Sequence, residues 1–223
     1  MKSVHIIRTG AFGVNTIIVT LEKNCCFVVD PAACSLAGDE NKIVDYLKKE
    51  KLTCVAVILT HSHFDHVTGI APIKAAFPNC QIAIHKNELS ELTSPPGPMG
   101  TAVIQFFGAL ELITEVSKQP DATVSLSDGQ NLEEIAGTGI GGADWKVIHT
   151  PGHTPGSICL YNSKLGEKGV LISGDTIFAY DGYGRTDMAG GDEAEIFKSI
   201  NRLHKEIPSG THVYPGHDAD FIF

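Results

Sequence analysis

Four potential metal ligands occur within six residues of this sequence, directly after a strongly apolar segment. Residues 52–60 predict a buried strand, and His61, His63, Asp65 and His66 follow it at once. Alternate residues of an extended loop project to one side, so His61 and His63 can converge on one ion. Once the chain has turned, Asp65 and His66 can reach a neighbouring ion. The spacing therefore indicates two adjacent metal ions at the carboxyl end of a strand.

Three later segments offer the remaining ligands, and each of them follows a predicted strand or apolar run. A glycine directly precedes the candidate ligand in every case, and these ligands are His153, Asp175 and His217. Glycine lets the backbone turn sharply and approach closely, which is useful where a loop delivers a side chain into a crowded site. Taken singly, each segment is typical of a turn. Together they complete a coordination sphere for two ions.

The remainder of the sequence alternates strand and helix patterns, which is typical of an α/β layered domain. Residues 94–121 interrupt the alternation, and we interpret them as an insertion that forms a lid rather than a core element. The segments 57–63 and 147–153 each run from an apolar strand into a histidine-bearing loop, which suggests two packed half-domains facing one site. The predicted strands cover residues 14–21, 25–30, 52–60, 81–84, 124–126, 132–135, 145–149, 158–161 and 170–173, and the predicted helices cover 39–51, 67–77, 87–92 and 192–207.

Composition excludes several classes of protein. The 223 residues are 43% hydrophobic and 19% charged, as in ordinary globular proteins. The net charge of −9 argues against a nucleic-acid partner, because phosphate contacts need clustered Lys and Arg. The sequence shows neither a secretory signal pattern nor an apolar run long enough for a membrane span, so we expect a cytoplasmic protein without membrane contact. The six cysteines contain no Cys-x-x-Cys pair and are interpreted as reduced core residues.

The ordered set of motifs resembles that of the metallo-β-lactamase-fold hydrolases and spans nearly the whole chain. Within that superfamily, residues 150–157, 173–178 and 184–187 are most similar to the glyoxalase II-like (hydroxyacylglutathione hydrolase-like) branch. An aspartate rather than a cysteine at position 175 favours this branch over the true β-lactamases. The resemblance implies an α/β fold, a four-layer αββα sandwich, formed as a single domain over residues 1–223 with the metals at one edge of its two sheets.

The resemblance also implies which residues hold the metals. His61, His63 and His153 would hold the first ion, Asp65, His66 and His217 would hold the second, and Asp175 would bridge the two. Zinc is the first expectation for both divalent ions, with iron or manganese as alternatives. His85 and His149 also follow strands, but they match no ligand position and are expected to have core or surface roles.

The implied chemistry is hydrolysis of a small-molecule thioester such as S-hydroxyacylglutathione. In such sites two metals about 3.5–4 Å apart share a water whose pKa is lowered to roughly 7, so that a hydroxide bridging the ions can attack an acyl carbon. Asp65 would act catalytically by orienting this hydroxide, and a thiolate would leave with little need of an acid. Tyr183 and Arg185 lie in a glycine-rich loop that borders the site in the resembled family. Arg185 could contact a substrate carboxylate, but pairing with Asp187 is favoured.

The sequence leaves three alternatives open. Full-length glyoxalase II enzymes carry a helical C-terminal domain whose basic residues help bind glutathione, whereas this chain stops at Phe223, six residues after His217. A smaller or different thiol carrier is therefore an alternative. A persulfide dioxygenase of the same fold would use one iron held at His61, His153 and Asp175. A non-catalytic metal-binding protein is the third alternative, and the oligomeric state is left open.

Overall fold

Two mixed β-sheets form the centre of the molecule in the computed structural model, which describes residues 3–93, 97–136 and 142–223. The first sheet contains β1 (Val4–Thr9), β2 (Val14–Thr20), β3 (Cys25–Val29), β4 (Thr53–Ile58), β5 (Gln81–His85) and β6 (Val124–Leu126) in that spatial order. Its first three strands are antiparallel and the later ones are parallel. The second sheet contains β7 (Trp145–His149), β8 (Ile158–Asn162), β9 (Val170–Gly174), β10 (His212–Pro215) and β11 (Phe221–Ile222), in reverse spatial order.

Helices cover the outer faces of both sheets, and one short helix instead lies between them. In chain order the helices are α1 (Lys42–Lys49), α2 (Phe64–Val67), α3 (Ile70–Ala76), α4 (Leu89–Thr93), α5 (Pro98–Phe107), α6 (Ile113–Val116), α7 (Glu133–Ala136) and α8 (Glu193–Glu206). Helix α7 is the one that packs its apolar side chains into the layer between the sheets. None of the helices in the described ranges is both long and apolar enough to cross a lipid bilayer.

Alternation along the strands divides the core into three layers of apolar side chains. In β2, Ile18 faces α1 and α3, whereas its neighbours Ile17 and Val19 face the second sheet. In β9, Leu171 faces α8 and Ile172 faces the first sheet. Both strands are buried on both faces, which is why they read as continuous apolar runs. The αββα sandwich expected from the sequence is therefore confirmed.

Strand direction brings the candidate ligands to one edge of the sandwich. β7 and β9 are each antiparallel to β8, and β9 is parallel to β10, so the carboxyl ends of β7, β9 and β10 lie at the same edge. In the first sheet, β3 and β4 run parallel to each other. The two sheets meet at this edge, where the N–H of Ile158 donates to the carbonyl of Thr60 at 2.9 Å. The loops after β4, β7, β9 and β10 consequently face one another.

Several predicted elements differ from the structure. Residues 132–135 were expected to form a strand, but α7 occupies 133–136. Leu132, directly before α7, and Ile135 are three residues apart, so a single helical turn places both side chains on the same buried side. The predicted helix 67–77 is divided into α2 and α3, and the division lies next to Gly69, whose N–H donates to the carbonyl of Pro31. Strand β1, which pairs with β2, was not predicted.

The predicted lid is in large part a core element. Val103 and Ile104 of α5, together with Leu112 and Val116, are buried in the layer between the first sheet and its helices. The interpretation of 94–121 as an insertion outside the core was therefore wrong for these residues, and positions 94–96 lie outside the described residues. Five of the six cysteines are buried, as expected of core residues, whereas Cys25 is only partly buried.

Candidate metal centre

Three buried histidines form the first cluster of the site. One ring nitrogen each of His61, His63 and His153 lies within 4.8 Å of the other two, and Nδ1 of His63 is 2.9 Å from Nε2 of His153. His61 and His63 belong to the loop after β4 in the first sheet, and His153 belongs to the loop after β7 in the second. The cluster therefore exists only when the two sheets are packed together.

The second cluster contains Asp65, His66 and His217, whose ligand atoms also lie within 4.8 Å of one another. Nε2 of His217 is 3.3 Å from Nε2 of His66 and 3.5 Å from Oδ2 of Asp65. Helix α2 begins at Phe64, directly after His63, and this turn carries the aspartate and histidine away from the first cluster. The turn expected between the two pairs of ligands in the sequence is thus a short helix.

Asp175 lies between the two clusters. Its Oδ2 is 3.7 Å from Nε2 of His153 and 3.6 Å from Nε2 of His217, and its Oδ1 is 3.7 Å from Nε2 of His66. Gly216 makes this close packing possible, because a Cβ at that position would overlap the Asp175 carboxylate. The structure therefore brings all seven predicted ligands to one place, with the aspartate in the position expected of a bridge.

Hydrogen bonds orient the imidazole rings from behind. The Nδ1–H of His61 donates to Oγ1 of Thr60 at 3.0 Å, and the Nδ1–H of His153 donates to the carbonyl of Arg185 at 2.8 Å. The Nδ1–H of His66 donates to Oδ2 of Asp30 at 3.1 Å, and the same oxygen accepts from the Thr60 hydroxyl. Each of these contacts leaves Nε2 facing the site, as is usual for histidines that ligate metals.

Buried polar atoms without hydrogen-bond partners indicate whether these residues fit divalent ions. Nε2 of His61 and Oδ1 of Asp175 are buried without a hydrogen-bond partner in the structure. Buried polar atoms are rarely left unpaired, and both of these atoms point into a cluster of other potential ligands. Imidazole nitrogens and carboxylate oxygens are a donor set that suits zinc or iron. The residues present therefore fit two divalent ions.

The two clusters differ in their electrostatics. Burial lowers the pKa values of His61 and His63 well below the usual 6.5, and neighbouring imidazoles add to the effect, so both rings are neutral ligands at neutral pH. For His66 burial has the same effect, but the carboxylates of Asp175, Asp65 and Asp30 outweigh it and raise the pKa to about 10. The carboxylates that hold this proton would equally attract a divalent cation, so proton and metal compete for the second cluster.

A pocket of about 350 Å³ opens above the two clusters. One wall is apolar and includes Phe12, Val103, Phe107 and Met188, with α5 supplying two of these residues. The ring of Phe12 packs edge-on against Phe107, with 5.6 Å between ring centroids. The site therefore combines a polar floor with an aromatic wall, as small-molecule sites commonly do.

The two residues of the glycine-rich loop that were candidates for substrate contact have different environments. Arg185 lines the pocket, but its guanidinium is bidentate to Asp187 at 2.7 and 2.8 Å and stacks over Phe106 at 4.7 Å. The favoured pairing with Asp187 is therefore present, although Arg185 is partly exposed rather than buried. Tyr183 does not line this pocket, because its ring packs against Phe197 of α8 instead.

Sequence reasoning missed two buried carboxylates close to the site. Asp30 directly follows β3 and accepts hydrogen bonds from the backbone and hydroxyl of Thr60 as well as from His66. Glu88 contacts the loops that carry the ligands of the first cluster. Asp30 stands at the end of a predicted strand, which was an available signal, whereas Glu88 falls inside the predicted helix 87–92 and had none. His85 and His149 stack on each other with 4.0 Å between ring centroids and belong to neither cluster, as expected.

Comparison with proteins of known sequence gives several relatives. The chain is 31% identical to the "Probable metallo-hydrolase YqgX" of Bacillus subtilis, over 87% of this chain and 81% of that protein. It is 30% identical to the "Probable polyketide biosynthesis zinc-dependent hydrolase PksB" of the same organism, over 96% and 78%. A hydroxyacylglutathione hydrolase of Photobacterium profundum is 28% identical over 87% of this chain, which spans 58% of that protein. The glyoxalase II enzyme is thus one relative among several.

Solved structures give the same family. The B3 metallo-β-lactamase BLEG-1 superposes with a TM-score of 0.82 at 28% identity, over 99% of this chain and 94% of that one. TTHA1623, in a di-iron-bound form, gives a TM-score of 0.75 at 25% identity over 98% and 94%. The family model described as the metallo-beta-lactamase superfamily matches residues 9–217. The chain belongs to the metallo-β-lactamase superfamily, and its histidine and aspartate clusters are consistent with a binuclear metal site.

Proposed function

We propose that this chain is a metal-dependent hydrolase that cleaves a small-molecule thioester, with S-hydroxyacylglutathione as the first candidate substrate. The observation that carries the proposal is the convergence of seven potential ligands beneath one open pocket, where two buried ligand atoms have no hydrogen-bond partner. YqgX and PksB are both named as probable hydrolases, which supports the same reaction class.

Each cluster would hold one ion. His61, His63 and His153 form the first cluster, Asp65, His66 and His217 form the second, and Asp175 reaches both. When bound, the ions would lower the pKa of a water to about 7 and polarise the substrate carbonyl. PksB is named as zinc-dependent and TTHA1623 holds two irons, so zinc and iron are the first metals to test.

The protein's own groups prepare this reaction in two ways. Asp65 would orient the attacking water, because its carboxylate lies at the floor of the pocket within 3.5 Å of His217 Nε2. The aromatic wall of Phe12 and Phe107 would exclude bulk water from one side of the acyl group. No protein acid is needed for the departure of a thiolate, which is a good leaving group at neutral pH. A site without such an acid suits a thioester better than an amide.

The thiol carrier is a separate question. Glutathione has two carboxylates, and among the described residues that line the pocket Arg185 is the one arginine or lysine, and Asp187 already engages it. A smaller thiol is therefore a second candidate carrier for the same reaction.

A mononuclear iron persulfide dioxygenase is the alternative reaction. It would need the positions of His61, His153 and Asp175, and it would leave the second cluster without a function. The completeness of that cluster, in which His66 is held by Asp30 and packs next to His217, favours the hydrolase. A purely metal-binding protein would have no need of the open pocket.

One preparation distinguishes these functions. Purified protein is analysed for bound metals and then incubated with S-lactoylglutathione, small acyl thioesters, glutathione persulfide and a β-lactam. We expect thiol release from at least one thioester without oxygen consumption. Oxygen consumption with the persulfide would support the dioxygenase, and a fully metal-loaded protein that cleaves no thioester would contradict the proposal.

A further inference from the structure

Glu88 is a buried carboxylate that the proposed reaction does not use. It lies in a single 3-10 turn, Lys86–Glu88, directly after β5, and its side chain is 0% exposed. Removing a carboxylate from water is costly unless hydrogen bonds replace its hydration. The contacts of Glu88 therefore indicate what its burial accomplishes.

Those contacts join two ligand-bearing loops. Oε2 accepts a hydrogen bond from the backbone N–H of Ser62, which lies between His61 and His63. Oε1 accepts from the backbone N–H of Gly156 at 3.0 Å and from the hydroxyl of Thr154. The first donor follows β4 in one sheet, and the other two donors belong to the loop after β7 in the other sheet. One side chain thus bridges the two halves of the first cluster.

Neighbouring residues permit and support these contacts of Glu88. A Cβ at Gly156 would overlap Cγ of Glu88, so the glycine permits the close approach. The hydroxyl of Thr154 lies 2.8 Å from Oγ of Ser157, which also accepts from the Thr154 N–H and so holds the loop in its turn. Asn87, next to Glu88, donates from Nδ2 to the carbonyl of Pro155 at 3.1 Å. The 3-10 turn therefore contacts the His153 loop through two successive side chains.

The donors require a carboxylate rather than an amide. Both oxygens accept from backbone N–H groups, and an ionised carboxylate can accept at both. A glutamine has the same shape but only one oxygen, so its amide N–H would face one of the backbone donors. Burial raises the pKa of Glu88, and the hydrogen bonds from Thr154, Ser62 and Gly156 oppose that effect.

We propose that Glu88 is a positioning residue that fixes the distance between the loop of His61 and His63 and the loop of His153, and so sets the metal affinity of the first cluster. The inference rests on the proposed function, because it concerns the same ions. Hydrogen-bonded partners behind metal ligands commonly change affinity by about 10–100-fold when they are mutated. Glu88 contacts neither His217 nor Asp175, so its effect falls mainly on the first of the two sites.

The test compares metal binding by the metal-free forms of wild type, Glu88→Gln and Glu91→Gln. Each protein is titrated with Co²⁺ against a chelating dye, and the absorption spectrum of the bound cobalt is recorded at each step. Glu91→Gln is the matched control, because Glu91 lies on the adjacent helix α4 and accepts from Gly100 rather than from a ligand loop. Urea unfolding of each metal-free protein measures stability separately.

We expect Glu88→Gln to weaken one of the two cobalt sites by about 10–100-fold and to alter its spectrum, while the other site changes by less than about threefold. Glu91→Gln should bind both ions as wild type does. Unchanged affinities in Glu88→Gln would overturn the inference. An equal loss at both sites that parallels a fall in stability would also overturn it, because it would indicate a purely structural role.

A second pair of variants covers the case in which Glu88→Gln does not fold. Thr154→Val removes one donor to Glu88, and Thr154→Ser retains it. We expect Thr154→Val to weaken the same single site and Thr154→Ser to restore it, whereas equal behaviour of the two variants would contradict the inference. A wild-type chain that binds no cobalt would overturn the proposed function as well, so the two failures are distinguishable.

Discussion

Single glycines determine how closely the ligands of this site can pack. A Cβ at Gly216 would overlap Oδ1 of Asp175 and would lie 2.9 Å from Cε1 of His66. We predict that Gly216→Ala displaces the aspartate and weakens metal binding by about tenfold or more, while the fold is retained. Elemental analysis after dialysis, together with urea unfolding, checks both parts of this prediction.

Gly38→Ala is the control for that variant. Gly38 has a positive φ of 67°, but a Cβ there would meet no atom within 4 Å. This variant should lose about 1 kcal/mol of stability through backbone strain and keep its full metal content. If the two variants bound equal amounts of metal, Gly216 would not act through the Asp175 carboxylate.

His85, which belongs to neither metal cluster, makes stability depend on pH. Burial lowers its pKa from 6.5 to about 4, and the nearby charges of His149 and Lys86 act in the same direction. Between these two values the unfolded chain binds a proton that the folded chain does not. The contribution of neutral His85 to the free energy of unfolding is therefore fully present above about pH 6.5 and is lost as the pH falls toward 4.

The corresponding variant is His85→Phe, which keeps an aromatic ring against His149 but cannot titrate. From pH 7.5 to pH 5 we expect wild type to lose about 2 kcal/mol more unfolding free energy than the variant. Urea unfolding of both metal-free proteins at the two pH values gives this difference. Parallel pH dependences would mean that His85 does not titrate as described.

Helix α5 forms the apolar wall of the pocket and so limits the acyl groups that fit. Phe107 lines the pocket, whereas its neighbour Phe106 does not and instead stacks beneath Arg185. We predict that Phe107→Ala raises KM about tenfold for a thioester with a bulky apolar acyl group, because roughly 1.4 kcal/mol of apolar contact is lost. An acetyl thioester should be affected much less.

The measurement is a set of Michaelis profiles for thioesters with acyl groups of increasing size. Phe106→Ala is the control variant. Its effect on KM should be the same for every acyl group, since the side chain does not face the pocket. A uniform change in both variants would show that α5 does not select the acyl group.

At the scale of elements, the parts of the fold with strong periodic patterns were predictable. The apolar run of β4 and the turn after it place His61 and His63 correctly, and α8 has a clear apolar face. Residues 132–135 were mistaken for a strand because four residues are too few to distinguish the two-residue apolar repeat of a strand from the 3.6-residue repeat of a helix. Glu88 and Asp30 were missed because their roles depend on contacts with loops distant in sequence.

The two sheets share the site, so the ions should stabilise the whole molecule. The first cluster alone takes histidines from the loops after β4 and β7, which belong to different sheets. A metal ion present at 1,000 times its Kd adds about 4 kcal/mol to the free energy of unfolding. For a chain of this size that corresponds to a rise of roughly 10 °C in Tm. We predict that chelation lowers Tm by at least this amount and that added zinc restores it. An unchanged Tm would indicate that the clusters do not bind metal in the folded state.

Metal titration of catalysis tests the central claim most directly. Metal-free protein is titrated with Zn²⁺, and the rate of thiol release is followed with the thioester that the loaded enzyme cleaves fastest. A binuclear hydrolase predicts that the rate rises until both clusters are filled, and that His217→Ala, which breaks only the second cluster, retains little activity. Full activity after one ion per chain, undiminished in His217→Ala, would contradict the account.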